Sequence, residues 1–279
     1  MGINESSKSP TPEEVSAHYA SGYERERLSR GSGKLEQART CELLKRLLPP
    51  PPARVLDVGG GPGSYACHLA TQGYEVHLID ITPSHVELAK KASASQPQSP
   101  LASAEVGDAR ALTHHEETAD AVLLFGPLYH LTDKADRLET LREAKRVLKR
   151  GGICLAVGIS RFASTMDGLR RGLLKDPRFA EIAKQDLSNG QHRNPTGNPE
   201  YFTDTFFHHP DELRDEAVTA GFQVSGVYGV EGPSWLVHDF DAWWDDSELQ
   251  KRLLGIARDV ETEIAVIGIS AHIMVAARR

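Results

Sequence analysis

"VLDVGGGPGSY", residues 55–65, is the stretch that decides the fold. An apolar run broken only by Asp57 reads as a short buried strand. Glycines follow at 59, 60, 61 and 63, and a helical pattern, "SYACHLATQG", begins at once. Glycine lets the backbone turn sharply and lets a ligand lie against bare peptide, while the N-terminus of the next helix offers unpaired N–H groups. The glycines do not by themselves decide the ligand, because "GPGSYA" (61–66) also satisfies the looser form of the dinucleotide fingerprint.

Outward from this loop the pattern alternates. "YEVHLID" (74–80), "ASAEVGD" (102–108), "ADAVLLFG" (119–126) and "ICLAVGI" (153–159) read as strands, with helices at "PSHVELAKKASAS" and over 134–149. Such alternation argues for a parallel sheet covered by helices on both faces, a doubly wound, Rossmann-like α/β fold. Upstream, "TPEE" (11–14) starts a helix with Thr11 as N-cap, and a second helix over 34–48 ends at "PPPP" (49–52). After Ile159 the rhythm breaks. Residues 160–207 mix helical pieces with the polar "SNGQHRNPTGNPEYF", too rich in Gly, Asn and Pro for a core element. A helix over 209–222, a strand near 223–230 and a final strand "AHIMVAARR" restore it, the last two separated by a segment with "DAWWDD" and a helix from Ser247 to 264.

The 279 residues, 39% hydrophobic and 25% charged, supply an ordinary globular core. A formal net charge of -7 argues against broad contact with a phosphate backbone. Cys41, Cys67 and Cys154 show no CxxC or zinc spacing and read as reduced thiols of a cytoplasmic protein. "MGINESSKSPTPEE" lacks the apolar core of a signal peptide, and no window reaches the ~18 apolar residues of a membrane helix.

Three acids separate the cofactor readings. Asp57 precedes the glycines, where a cationic amine finds a partner and a pyrophosphate does not. Asp80 ends the second strand, 17 residues beyond Gly63, placed for ribose hydroxyls in either case. Asp108 ends the third and can accept from an adenine amino group. Acids at the carboxyl ends of three successive strands, around one glycine loop, lie where open α/β sheets bind ligands. The set suits a ligand made of a cationic amino acid, a ribose and an adenine.

In their order, "LDVGGGPG", "LID", "GDA" and "FGPLYHL" resemble the class I S-adenosylmethionine-dependent methyltransferases over residues 53–160, and "HHPDELRDEAVTAGF" is similar to a later helix of that family. The resemblance implies a seven-stranded sheet with an antiparallel last strand, and S-adenosylmethionine as cofactor. It implies that Asp57, Gly59, Gly60 and Gly61 contact the methionine moiety, Asp80 with Ile81 the ribose, and Asp108 with Ala109 the adenine, and that Phe125 lies beside the sulfonium. "GPLY" stands where enzymes acting on nucleobases, DNA or protein glutamine carry Asn/Asp-Pro-Pro-Tyr/Phe, which points toward the small-molecule, natural-product type. "HYASGYERERL" and "EQART" resemble leading helices that close over the cofactor in a subset of the family. Arg27 and Arg39 are then candidates for the methionine carboxylate, and Tyr19 and Tyr23 for cofactor or acceptor contacts. Read plainly, the arginines are exposed helix residues and the tyrosines a packing stripe. The layout this implies is a disordered tail (1–10), N-terminal cap helices (11–52) and a methyltransferase domain (53–279) with cap insertions near 160–207 and 231–268.

Methyl transfer is an in-line displacement in which the protein positions the nucleophile and excludes water. Residues able to take a proton are therefore candidates: Tyr129 and His130 beyond the fourth strand, Tyr23, and the His208-His209 pair. His130 also reads as a residue capping the next helix, and His209, before Pro210, as an N-cap. Adjacent histidines without a third ligand at metal spacing do not suggest a metal. Trp235, Trp243, Trp244, Phe206 and Phe207 read mostly as core of the insertions, with one or two left for a flat acceptor. The implied partner is a small-molecule methyl acceptor, neither nucleic acid nor membrane, with a homodimer left open. Two rivals stand: an NAD(P)-dependent oxidoreductase, and a non-catalytic cofactor-binding scaffold on the same fold.

Overall fold

The computed structural model describes residues 27–279, so Tyr19, Tyr23 and the helix expected from Thr11 lie outside the described residues. The strands are β1 (Arg54–Val58), β2 (Glu75–Asp80), β3 (Ser103–Val106), β4 (Ala119–Leu124), β5 (Leu148–Ser160), β6 (Gln191–His192), β7 (Thr205–His208), β8 (Gln223–Gly229) and β9 (His272–Arg278). The helices of the first half are α1 (Gly33–Leu47), α2 (Ser64–Thr71), α3 (Pro83–Ala94), the short α4 (Pro127–His130) and α5 (Lys134–Val147). Those of the second are α6 (Ala163–Arg171), α7 (Pro177–Asn189), α8 (Pro210–Thr219), α9 (Phe240–Asp245), α10 (Ser247–Asp259) and α11 (Ile264–Ile267).

β1 runs parallel to both β2 and β4, with β3 outside β2 and β5 outside β4. The winding reverses between β1 and β4, so the loops leaving their carboxyl ends diverge and open a crevice there. β9 is antiparallel to β5 and to β8. The path β3-β2-β1-β4-β5-β9-β8 is the seven-stranded sheet that the resemblance implied. β6 and β7 add a short hairpin, and β7 pairs with β5 only at Ile159 and Ser160.

Successive residues of a strand face opposite sides, and both sides here are apolar. Val55, Ala121, Leu123 and Leu155 meet Leu43 and Leu44 of α1, Leu69 of α2 and Val86 of α3. Leu56, Val58, Val122 and Leu124 meet Leu128 of α4, Leu141 and Ala144 of α5 and Leu213 and Ala217 of α8. A strand buried on both faces must read as a continuous apolar run. Asp57 is the exception among the buried residues of β1, which singles it out.

The segments after β5 hold their own cores. Phe179, Ile182, Ala183 and Tyr201 pack together in the first. In the second, Trp235, Phe240 and Leu253 enclose Leu35 of α1, with Met166 of α6 packed against them. The polar stretch 188–202 contains β6, because His192, fully buried, bonds Asp186 Oδ2 at 2.8 Å and the Tyr201 carbonyl at 2.7 Å. The helix expected to reach 264 ends at Asp259, and α11 follows separately. Among the described residues no helix is long and apolar enough to cross a membrane.

Candidate active site

One cleft lies over the β1/β4 crevice, about 1090 Å³ up to its open mouth. Asp57 and Gly59–Gly61 from the first loop line it, as do Asp80 and Ile81 after β2, Asp108 and Ala109 after β3, and Phe125 after β4. Arg27, Tyr129 and His130 line it too. The cleft opens at its mouth to solvent, and its lining of acids, glycines and aromatic rings suits a nucleoside with a polar tail.

Asp57 is 1% exposed, and neither carboxylate oxygen makes a hydrogen bond. Burial first, then repulsion from Asp80, pushes its pKa to about 7, although the Ala66 amide, short of a full hydrogen bond, offsets part of this. A buried acid without a partner is costly unless a ligand supplies one, and an ammonium group suits it. The adjoining glycines are required by space. A Cβ on Gly59 (φ +75°) would meet Pro127 Cδ at 2.6 Å, and one on Gly60 would meet Asp57 Oδ2 at 2.7 Å and Leu78 Cδ1 at 2.9 Å. Gly60→Ala should therefore cost about 1–3 kcal/mol of stability and weaken S-adenosylhomocysteine binding. Thermal unfolding with and without the ligand reads both, and an unchanged ligand shift would contradict the second.

The other acids are already engaged. Asp80 Oδ2 accepts from the Gly61 N–H at 2.8 Å and Oδ1 from the Thr82 N–H at 2.8 Å, while His85 Nδ1 lies 3.3 Å from Oδ1. Asp108 is gripped by Arg110, whose Nη2 reaches Oδ2 at 2.7 Å and whose Nε reaches Oδ1 at 3.0 Å. Burial alone would raise the Asp108 pKa, but Arg110 outweighs it and holds the carboxyl below its usual range. Adenine would thus meet an ion pair here, not the lone acceptor expected. Arg27, at the lip of the cleft, is forked onto Glu36 through both terminal nitrogens.

Beyond β4, α4 carries the lip. The Tyr129 hydroxyl donates to the Phe125 carbonyl at 2.8 Å, and the Tyr129 and His130 rings lie 4.7 Å apart. Arg137, 2% exposed, donates to the Leu131 and Thr132 carbonyls at 2.9 and 3.1 Å and stacks 3.7 Å over the Phe206 ring. Gln191 donates to the same Thr132 carbonyl at 3.0 Å, so the first insertion also holds the lip.

Three of the proposed residues do not reach the cleft. Arg39, taken as a carboxylate binder, is fully buried and pairs with Glu42 and Glu261, its Nε donating to the Val230 carbonyl at 3.2 Å. It fastens α1 to the second insertion. His208, taken as a base, is sealed between β5 and α8: Nε2 contacts Glu216 Oε2 at 3.3 Å, and Nδ1, without a partner, sits where a Cβ on Gly158 would come within 2.8 Å. Burial lowers its pKa, so the ring is neutral. His209 caps α8, its N–H donating to Glu212 Oε2 at 2.9 Å, with its ring against Phe162. Trp235, Trp243, Trp244, Phe206 and Phe207 are likewise absent from the cleft lining. Among the described residues one cluster, Glu36, Glu231 and His272, has its ligand atoms close enough for a metal. Its carboxylates are already taken by Arg27, Ser270 and His272 itself, which makes it an ion-pair network.

Sequence reasoning passed over His85, Thr82, Tyr65 and Arg110, all in the lining. A signal for His85 existed: the first turn of a helix that follows a strand-end acid necessarily sits at the carboxyl edge of the sheet.

Residues 55–152 match the family described as "Methyltransferase domain". Over 212 residues the chain is 31% identical to the tRNA 5-carboxymethoxyuridine methyltransferase of Escherichia coli O157:H7, a match covering 75% of this chain and 74% of that one. It is 33% identical over 102 residues to ajmaline N-methyltransferase of Rauvolfia serpentina, covering 36% and 34%. Its fold superposes on a SAM-dependent methyltransferase from Methanosarcina mazei with a TM-score of 0.57, at 19% identity over 85% of this chain and 96% of that one. A glycine loop at the β1/β4 crevice, a partnerless buried acid beside it and relatives that share this catalytic domain agree: the chain is a class I S-adenosylmethionine-dependent methyltransferase.

Proposed function

We propose that the acceptor is a small, flat aromatic or heteroaromatic metabolite, methylated at carbon, nitrogen or oxygen. The observation that carries this reading is the joining of the two insertions. Met166 of the first packs against the Trp235 cluster of the second, and Gln191 ties the first to the lip at Thr132. Such packing joins the two insertions to each other and to the lip beside the cleft, which favours a bounded pocket over a docking trough; under this reading the segments near 160–207 and 231–268 act as caps. Charge supports it. The five arginines of the first insertion are paired, Arg161 with Glu212, Arg170 with Asp167, Arg171 with Glu200, Arg178 with Asp176 and Arg193 with Asp204. The second exposes Asp239, Asp241 and Asp245. A phosphate backbone needs the opposite.

The cofactor, when bound, supplies a methyl group already activated on its sulfonium. Under this reading Asp57 and the glycine loop hold its amino-acid end and Phe125 walls the reacting region. The lip presents Tyr129 and His130 to the acceptor. A phenol accepts as well as donates, so Tyr129 can orient a hydroxyl or amine while its proton stays on the Phe125 carbonyl. Tyr129→Phe is expected to lower turnover about 100-fold at unchanged S-adenosylhomocysteine affinity; equal losses in both would make Tyr129 a binding residue instead.

The deciding experiment incubates the protein with methyl-labelled S-adenosylmethionine and, separately, a metabolite extract and bulk tRNA. Label in a small organic product supports the proposal. Label in tRNA overturns it and favours the acceptor class of the Escherichia coli relative. Tight binding of S-adenosylhomocysteine without transfer to either extract or tRNA overturns the aromatic acceptor and calls for another acceptor class.

A further inference from the structure

We infer that His272 is a proton-operated latch on the mouth of the cleft: its charged ring ties Glu36, and with it Arg27, to the edge of the sheet. The inference rests on the cofactor occupying the cleft and concerns residues outside the glycine loop and the strand-end acids. His272 opens β9 opposite Ile159, near the carboxyl end of β5, the side of the sheet on which the cleft lies. Among the described residues the charged groups facing its ring come from three segments. Glu231, after β8, lies 2.6 Å from Nδ1; Glu36, on α1, lies 3.8 Å from the same atom; Arg27, ahead of α1, is forked onto Glu36. One oxygen of each glutamate and the ring nitrogen fall within 4.8 Å of one another. Both glutamates are buried, Glu231 at 1% exposed and Glu36 at 8%.

Two buried carboxylates this close tolerate each other only with cations beside them. With the ring charged, Arg27 and His272 balance Glu36 and Glu231. Loss of the ring proton leaves one negative charge in excess. Glu231 is held in place, because its Oε2 accepts from the Ser270 hydroxyl at 2.7 Å and from the His272 N–H at 2.9 Å. Glu36 can yield, since its hydrogen bonds run to Arg27, which moves with it. Leu35, fully buried beside it, keeps α1 seated, so what loosens is the stretch ahead of the helix. That stretch walls the cleft through Arg27 and Leu28. Burial alone would lower the His272 pKa, but Glu36 and Glu231 outweigh it and hold it above the ordinary 6.5. The latch therefore contributes stability that is fully present below 6.5 and lost as pH rises through that higher value. A ligand that fills the cleft braces the wall, keeps Glu36 beside the ring and so makes the ring harder to deprotonate.

A pH titration of the whole, histidine-labelled protein by NMR, with and without saturating S-adenosylhomocysteine, tests the latch. His272→Gln, or His272→Asn if that does not fold, identifies the resonance by its loss. In the free wild type the His272 midpoint should lie above 6.5, and the ligand should raise the proton affinity of that ring about fivefold. Glu36→Gln, which keeps the size of the side chain and removes its charge, should lower the midpoint and abolish the ligand response. Arg27→Gln, at a more exposed position, takes its place if it does not fold. It should abolish the response as well, because the wall is then no longer tied to Glu36. A midpoint that the ligand leaves in place makes His272 a structural ion-pair partner and overturns the inference, as does an equal response in Glu36→Gln. S-adenosylhomocysteine that fails to bind the wild type overturns it too, and does so by removing the cofactor from the cleft.

Discussion

Asp57→Asn is expected to make the protein more stable and a much poorer binder of its cofactor. In the folded chain burial and Asp80 push the Asp57 pKa from 3.8 to about 7. A carboxyl raised in this way contributes stability that is fully present below its unfolded pKa and lost as pH rises through the folded one, here between 3.8 and about 7. Asparagine is neutral throughout, so the variant's advantage should emerge near pH 8 and vanish near pH 5. The gain is on the order of 1–2 kcal/mol, since a buried amide also lacks partners, and it corresponds to a thermal midpoint higher by about 2–6 °C. Binding should move the other way. Loss of one member of a buried charge pair weakens S-adenosylhomocysteine about 100-fold. The wild type should bind more tightly as pH rises through about 7 and release protons on binding, because an ammonium draws Asp57 back to its charged form. Calorimetry in buffers of different ionisation enthalpy measures that release, and full affinity in the Asn variant would remove Asp57 from the cofactor site.

The second large effect belongs to Arg137. Its guanidinium reaches Glu216 at 2.7, 3.0 and 3.2 Å with both residues buried. Arg137→Met leaves that carboxylate alone inside the protein, which should cost about 3–5 kcal/mol and lower the thermal midpoint by about 10 °C. Burial by itself would raise the Glu216 pKa, but His208 and Arg137 outweigh it and hold it at about 2, below the ordinary 4.5. The pair thus contributes stability that is present above 4.5 and lost as pH falls through about 2. The deficit of the variant should be widest at neutral pH and narrow toward pH 4. Adding Glu216→Leu should recover a large part of it, since apolar replacement of both partners removes the stranded charge. If the double variant is no more stable than Arg137→Met, the charge was not the cause. The Leu131 and Thr132 carbonyls lose a donor as well, so the lip bearing Tyr129 and His130 should loosen.

The sheet was legible because strands buried on both faces must read as apolar runs, and "VLDV" and "AVLL" do. One break was legible for the same reason: Asp57 interrupts a run that otherwise buries only apolar residues, and Asp80 ends the buried half of the second strand. The hairpin β6–β7 was not. Its pairing depends on His192 meeting Asp186 and Tyr201, and no periodicity records such a contact. Arg39 and His208 were misplaced because side-chain direction is set by partners far along the chain. Glu261 lies 222 residues from Arg39, and Glu216 answers both His208 and Arg137, the latter across 79 residues.

By itself, then, the order of residues determined the doubly wound sheet, the crevice after its first strand and the three acids that border it. Each depends on short runs and on their order along the chain, which a linear pattern carries. Only the tertiary structure decided how those acids are occupied: Asp57 without a partner, Asp80 shared among Gly61, Thr82 and His85, Asp108 closed by Arg110. It also decided which histidines see the cleft. A carboxylate's chemistry follows from burial and from the donors within about 3 Å of it, and those are properties of the packed molecule, not of the chain.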